Sequence, residues 1–234
     1  MPRTKKGFTL IEMLVVIAII SMLSVGISML NMSDSSQSIY SAQQSMMTAF
    51  YEARLTALQK QTDVRIIIYR GPDITRKLRQ VGVIYKVMGN NDMPLGWAAL
   101  DDGFIMPKNV IFVPPDGDFD AFVKLGKDVK REEVFKSTFN NGYTGAYEVV
   151  NISVFPSRQP ESLTEGSGDW YSYTFSSDGL SLNPGAFIIL SPAKLDAQDL
   201  YVIDNPFAEI GFIIRRIGNT IPFAGYDEME ETAK

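Results

Sequence analysis

Neither cysteine nor histidine occurs anywhere in the 234 residues. The missing thiols exclude disulfide frameworks and cysteine nucleophiles. The missing imidazoles remove zinc sites of the usual ligand types and every histidine-based acid–base mechanism. Positive charge is also in the minority, 22 Lys and Arg against 27 Asp and Glu for a net charge of -5, so a polyanion such as DNA is not an expected partner. Ser and Thr are plentiful, but no nucleophile-elbow sequence accompanies them, and no internal repeat is visible. What is present is core-forming material: 45% of residues are hydrophobic and 11% aromatic, with Gly and Pro spread through the second half, the mark of an ordered, β-rich chain. A domain of this size can stand on its hydrophobic core without a disulfide.

The longest apolar run lies at the N-terminus, where Phe8 to Leu30 reads FTLIEMLVVIAIISMLSVGISML with Glu12 as its only charge. That is about the 20 residues a helix needs to cross a bilayer. Arg3, Lys5 and Lys6 precede it, which keeps that end cytoplasmic under the positive-inside tendency and sends the remainder outward. A secretory signal peptide, cut near Ser24-Val25-Gly26, is the competing reading; the length of the run and Glu12 argue against it. A carboxylate at the centre of a membrane helix costs about 2.5–3.5 kcal/mol on insertion scales, and less near the interface, so Glu12 needs a partner. Cutting after Gly7 would create one, a positive α-amino group on Phe8, and such ends on adjacent subunits could pair in the low-dielectric membrane. Loss of the leader leaves 19 basic against 27 acidic residues, a net charge of -8.

Lys5-Lys6-Gly7 followed by Phe8-Thr9-Leu10-Ile11-Glu12 resembles the cleavage and methylation motif of type IV pilins and pseudopilins. The resemblance implies cleavage between Gly7 and Phe8 by prepilin peptidase, methylation of the Phe8 amine, and a role for Glu12 in registering subunits. It also implies an α+β fold in which a long N-terminal helix, half transmembrane and half amphipathic, packs on an antiparallel β-sheet head. The expected organisation is a leader at 1–7, a transmembrane helix at 8–30, an amphipathic helix at 31–60, and a periplasmic head at 61–234.

The residues after the membrane run fit that organisation. Ile39, Ala42, Met46, Phe50, Ala53 and Ala57 recur at steps of three or four, the stripe of a helix packed against a sheet. Continued from Phe8 to about Lys60, the helix would be about 80 Å long, with Gly26 and the polar patch 31–38 as its weak points. Strands are expected at 63–69 and 80–88, forming a hairpin through Gly71-Pro72-Asp73, and at 104–106, 110–113, 147–155, 170–175, 186–191 and 209–216. Loops are expected at Pro114-Pro115-Asp116-Gly117, the charged stretch 124–136, and 156–169. The order of these segments, with Glu52-Ala53-Arg54, Ile105-Met106-Pro107-Lys108-Asn109-Val110, Phe175-Ser176-Ser177-Asp178-Gly179 and Gly211-Phe212-Ile213-Ile214-Arg215-Arg216-Ile217-Gly218, resembles the H-type minor pseudopilins of type II secretion. The segment at about 114–144 is longer than that pattern needs and reads as an insertion.

Catalytic residues, cofactors and metal ligands are not expected. Asp116, Asp118 and Asp120 alternate like the start of an EF-hand, but Ala121 and Lys127 stand where its Gly and Glu belong, which leaves only an irregular calcium site open. Asp101-Asp102-Gly103 reads as a turn, and Arg76, Lys77, Arg79 and Arg215-Arg216 as surface charge. The expected function is that of a minor pseudopilin in a type II secretion pseudopilus. Its partners would be prepilin peptidase, other pseudopilins or pilins, the inner-membrane assembly platform and membrane lipid. The alternatives are a minor pilin of a type IV pilus, acting in initiation, adhesion or DNA uptake, and a membrane-anchored periplasmic enzyme or binding protein.

Overall fold

The computed structural model describes residues 11, 13–17, 34–130, 147–183, 186–225 and 228. The chain divides into a unit of residues 1–37 and a compact unit of residues 38–234. In the first, Ile11 and Met13 to Ile17 are helical, with large apolar side chains that are exposed throughout.

Helix α1 (Asp34–Lys60) organises the second unit. Its buried positions from Ile39 onward include Ala42, Met46, Ala49, Phe50, Ala53 and Ala57, one face of a 3.6-residue repeat; the four alanines let the sheets come close. The helix stops where Gln61 turns left-handed at φ 50°, and Lys60 places a positive charge in the last turn, where the carbonyl ends favour it.

Two sheets share this helix. The first runs β3-β2-β1-β9-β7-β8, from β1 (Val64–Tyr69), β2 (Gln80–Met88), β3 (Pro94–Ala99), β7 (Glu148–Ile152), β8 (Leu163–Glu165) and β9 (Trp170–Phe175), with β4 (Phe104–Ile105) pairing β2. The second runs β14-β13-β10-β5, from β5 (Val110–Phe112), β10 (Ala186–Pro192), β13 (Ile210–Ile214) and β14 (Thr220–Ala224). Phe50 joins them: its ring lies 5.4 Å from Tyr173 and 6.1 Å from Phe175 on β9, and 5.1 Å from Phe212 on β13. Gln43 adds a polar tie, donating from Nε2 to the carbonyls of Gly211 at 2.5 Å and Phe223 at 3.2 Å.

Every residue of β1 is buried because the first sheet is covered on both faces. Val64, Ile66 and Ile68 belong to the core that includes the α1 face, whereas Ile67 and Tyr69 belong to a second core with Ile84, Val150, Ile152 and Trp170. The segment after β7 closes that core. Glu161 exchanges two 2.8 Å backbone hydrogen bonds with Trp97 on β3, and residues 163–165 pair with β7, so one stretch of chain spans both edges of the sheet. Arg65 lies on this side, its guanidinium 4.8 Å from the Trp97 ring and in ion pairs with Glu165 at 2.5 Å and Glu148 at 3.3 Å.

The expected strands form within a few residues of their predicted bounds, and the hairpin β1–β2 is antiparallel. Several features differ. β3 and β14 form outside the expected strands, each held by antiparallel pairing with a neighbour, β3 with β2 and β14 with β13. A small third sheet, β11 (Lys194–Leu195), β12 (Tyr201–Ile203) and β6 (Val123–Leu125), contains a parallel pair, β12 with β6, which departs from an all-antiparallel head. Within the expected loop 156–169 lies β8, induced by pairing with β7 and not by its own composition. The expected turn at 114–117 instead opens a short helix, α2 (Asp116–Phe122). The rest of the expected insertion, 131–144, lies outside the described residues.

Candidate assembly surfaces

Gly7, Phe8 and Glu12, and most of the expected membrane run, lie outside the described residues. Among the described residues no helix is long and apolar enough to cross a membrane.

The sites that can be built residue by residue lie along α1. Between Asp34 and Lys60 its only charges are Glu52 and Arg54. The surface of a solvated helix ordinarily carries charges of both signs opposite its buried stripe. Here the outward positions include Tyr40, Tyr51 and Leu58, exposed by 54%, 58% and 41%. These three fall on one line, because steps of 11 and 7 residues are close to whole numbers of turns. The other exposed positions are mainly uncharged polar residues, Gln37, Ser41, Gln44, Thr48 and Gln59, so this face can pack against another helix with little charge to desolvate.

At the C-terminal end of α1 the segments that carry the H-type resemblance come together. A side chain added at Gly179 would meet Leu58 Cγ at 2.8 Å, and one at Gly218 would meet Arg54 Cδ at 2.7 Å. Both glycines are left-handed, at φ 73° and 78°, so each fits where the turn must bend away and the helix must come close. Ser181 donates its amide to the carbonyl of Arg216 at 3.0 Å, fastening the two turns together. Ser176, Asp178, Leu182 and Arg216 border an open depression of about 620 Å³ beside them.

On the other flank of α1 a groove of about 280 Å³ opens between the helix and the β2–β4 region. Gln44, Thr48 and Glu52 form one wall, and Val83, Asp101 and Phe104 form part of the other. Partial burial raises the Glu52 carboxyl above its ordinary value, and the nearby Asp101 charge raises it further. Asp101 accepts the Gly103 amide at 2.9 Å, closing the expected turn with Gly103 left-handed at φ 66°.

The acidic stretch 116–120 has a structural task. In a helix, alternate residues point about 200° apart, so the spacing that suggested a cation loop does not bring these positions together. Asp118 pairs with Arg70 at 3.3 Å and accepts the Tyr171 hydroxyl at 2.9 Å, which fastens α2 to the sheet. Among the described residues no cluster of three or more acidic side chains could hold a metal ion. The basic cluster likewise turns inward. Arg79 is buried and donates to the Met106 carbonyl, Arg76 lies over the Tyr69 ring at 4.6 Å, and Lys77 lies 5.5 Å from that of Phe122. The expectation of plain surface charge fails for Arg79, whose fixed fork of donors ties together the carbonyls of Thr75 and Met106.

Residues 2–28 match the family described as the prokaryotic N-terminal methylation motif. No curated protein and no solved structure matches the chain. The motif indicates a type IV pilin-like protein that is a substrate of prepilin peptidase, and it implies assembly with other pilins.

Proposed function

We propose that this protein is a minor pseudopilin of a type II secretion pseudopilus, cleaved between Gly7 and Phe8, methylated on Phe8, and assembled through its N-terminal helix. The methylation motif at 2–28 supports the pilin-like, peptidase-processed part of this reading, and the resemblance of the head segments to H-type minor pseudopilins favours the secretion branch. The nearly uncharged outer face of α1 supports it, because it offers the head a helical surface that can pack against neighbouring subunits without burying charge. The protein acts by packing and not by catalysis. It is a single-pass protein of the inner membrane with a periplasmic head, and it joins other pseudopilins on an assembly platform, where filament movement drives folded proteins outward. Glu12 pairs with the Phe8 amine of a neighbouring subunit.

The test is deletion of the gene, with secretion of folded proteins and surface piliation measured side by side. Loss of secretion with piliation intact is expected; the reverse pattern replaces the secretion reading with that of a type IV minor pilin. Mass spectrometry of the native protein supplies the other arm and should find N-methylated Phe8 as the first residue. Glu12→Gln should leave insertion and cleavage intact while reducing cross-links to other subunits, since an unpaired partner charge in a desolvated site costs about 3–5 kcal/mol.

A further inference from the structure

We infer that the groove between α1 and the β2–β4 region is a socket for one lysine or arginine side chain of a different subunit in the same assembly. The inference rests on the minor-subunit reading above and adds the chemistry of the partner. A minor subunit stands among other pilins and not among copies of itself, so the side chain that fills the socket belongs to a chain of different sequence. The groove adjoins the outer face of α1. At about 100° per residue, Gln44 and Thr48 lie about 40° and 80° around the helix from Tyr40. A neighbour packed along the line of Tyr40, Tyr51 and Leu58 therefore reaches the groove from the same side.

The lining selects the occupant. Ala49, Val83 and Phe104 give the groove apolar surface, and Glu52 and Asp101 give it two carboxylates, neither of which makes an ion pair among the described residues. Partial burial raises the Glu52 carboxyl and the Asp101 charge raises it further, so the two acids lie close enough to repel. An acidic occupant would add to that repulsion, and a wholly apolar one would desolvate both carboxylates without compensation. A long basic side chain answers both parts of the lining: its methylene stem covers the apolar surface, and its head group makes charge-assisted hydrogen bonds to the acids. The volume of about 280 Å³ suits a side chain, whereas a whole helix is about 10 Å across.

The absence of native cysteine makes the contact directly testable. Gln44→Cys, two turns from Glu52 on the same wall, gives the full-length chain one attachment point for a benzophenone photo-cross-linker without filling the space beside the carboxylates. The chain is co-expressed with the other pilin-like proteins of its system, labelled in membranes and irradiated there. A cross-link to one subunit of different sequence is expected, and mass spectrometry should place it beside a Lys or Arg. Adding Glu52→Lys should lower its yield by about tenfold through like-charge repulsion, and Glu in place of that partner residue should restore it. Glu52→Gln, which keeps the shape and removes the charge, should lower the yield in the same direction and by less. A cross-link to a segment without Lys or Arg, a cross-link to a second copy of this chain, or a yield that neither Glu52 variant changes overturns the socket. Absence of any cross-link from position 44 overturns it as well. In that case the proposed function stands if subunits still cross-link through the N-terminal helix, and falls together with the socket if they do not.

Discussion

Phe50 and Tyr51 are neighbours in sequence and opposites in role, so their replacement by alanine separates packing from assembly. Phe50 has no exposed surface and meets three aromatic rings from two sheets, whereas Tyr51 is 58% exposed. Removing a buried Phe side chain costs about 3–5 kcal/mol, more where the surroundings cannot collapse. The Phe50 site is walled by β9 on one side and β13 on the other, so closing the hole would require two sheets to move together, and the upper half of that range is expected. Against a net stability of about 5–15 kcal/mol, this is a large share of the fold. At about 2–4 °C per kcal/mol for a domain of this size, the melting temperature should fall by about 8–20 °C. Tyr51→Ala should stay within about 0.5 kcal/mol of the parent, as exposed substitutions do. The assay is urea unfolding of a chain beginning at Ser33, followed by circular dichroism, with incorporation of the full-length variants into filaments measured in parallel. Phe50→Ala should fail through lost stability, and Tyr51→Ala should fold and assemble poorly. A loss below about 1 kcal/mol for Phe50→Ala at an unchanged denaturant slope, or an equal loss for Tyr51→Ala, would refute the assignment of buried and associating faces.

A bulky charged residue in place of Gly7 should leave the leader attached, read as an unprocessed mass and an unmethylated N-terminus. Alkali should unfold the head. Burial raises the hydroxyl of Tyr147 well above its ordinary value and pushes that of Tyr173 up to about 12, while burial and the nearby Asp118 carboxylate raise that of Tyr171. With folded values above the unfolded value of about 10, the unfolded chain loses these protons first, so stability is full below pH 10 and falls through pH 12; tyrosinate absorbance at 295 nm should rise together with loss of the circular dichroism signal. Glu161→Pro removes the amide that donates to Trp97, which should cost about 0.5–1.5 kcal/mol and open the β3 edge, producing oligomers of the truncated head in sedimentation velocity. A variant that stays monomeric with parental stability would count against edge closure.

Much of the architecture was legible because it rests on local pattern. The stripe from Ile39 to Ala57 gave the helix and its buried face, and β-branched runs such as Val64-Arg65-Ile66-Ile67-Ile68 gave the principal strands. What escaped depends on distant partners. Leu163-Thr164-Glu165 becomes a strand only because β7 offers it an edge, and Val123-Lys124-Leu125 only because β12 lies beside it. The groove at Glu52 and Asp101 joins residues 49 positions apart, and no local periodicity reports such a meeting. The scarcity of charge on α1 points to its outer face and not to this groove. Arg79 looked like its neighbours in the basic cluster, and only the fold shows that its donors face inward.

The treatment of strand edges narrows how this head can associate. Glu161 pairs with the outer edge of β3, and β14 carries Pro222, a residue without an amide donor, in the middle of an edge strand. Both devices oppose addition of a further strand, the default route by which exposed sheets aggregate. Joining through backbone ladders would tolerate almost any extended segment, because every residue offers the same donor and acceptor. Joining through a helical face depends on which side chains are presented and at what height. A subunit stored in a membrane at high local density, yet required to polymerise only in register, needs the second kind of contact and protection against the first. The closed edges of β3 and β14 and the nearly uncharged outer face of α1 are two halves of that requirement.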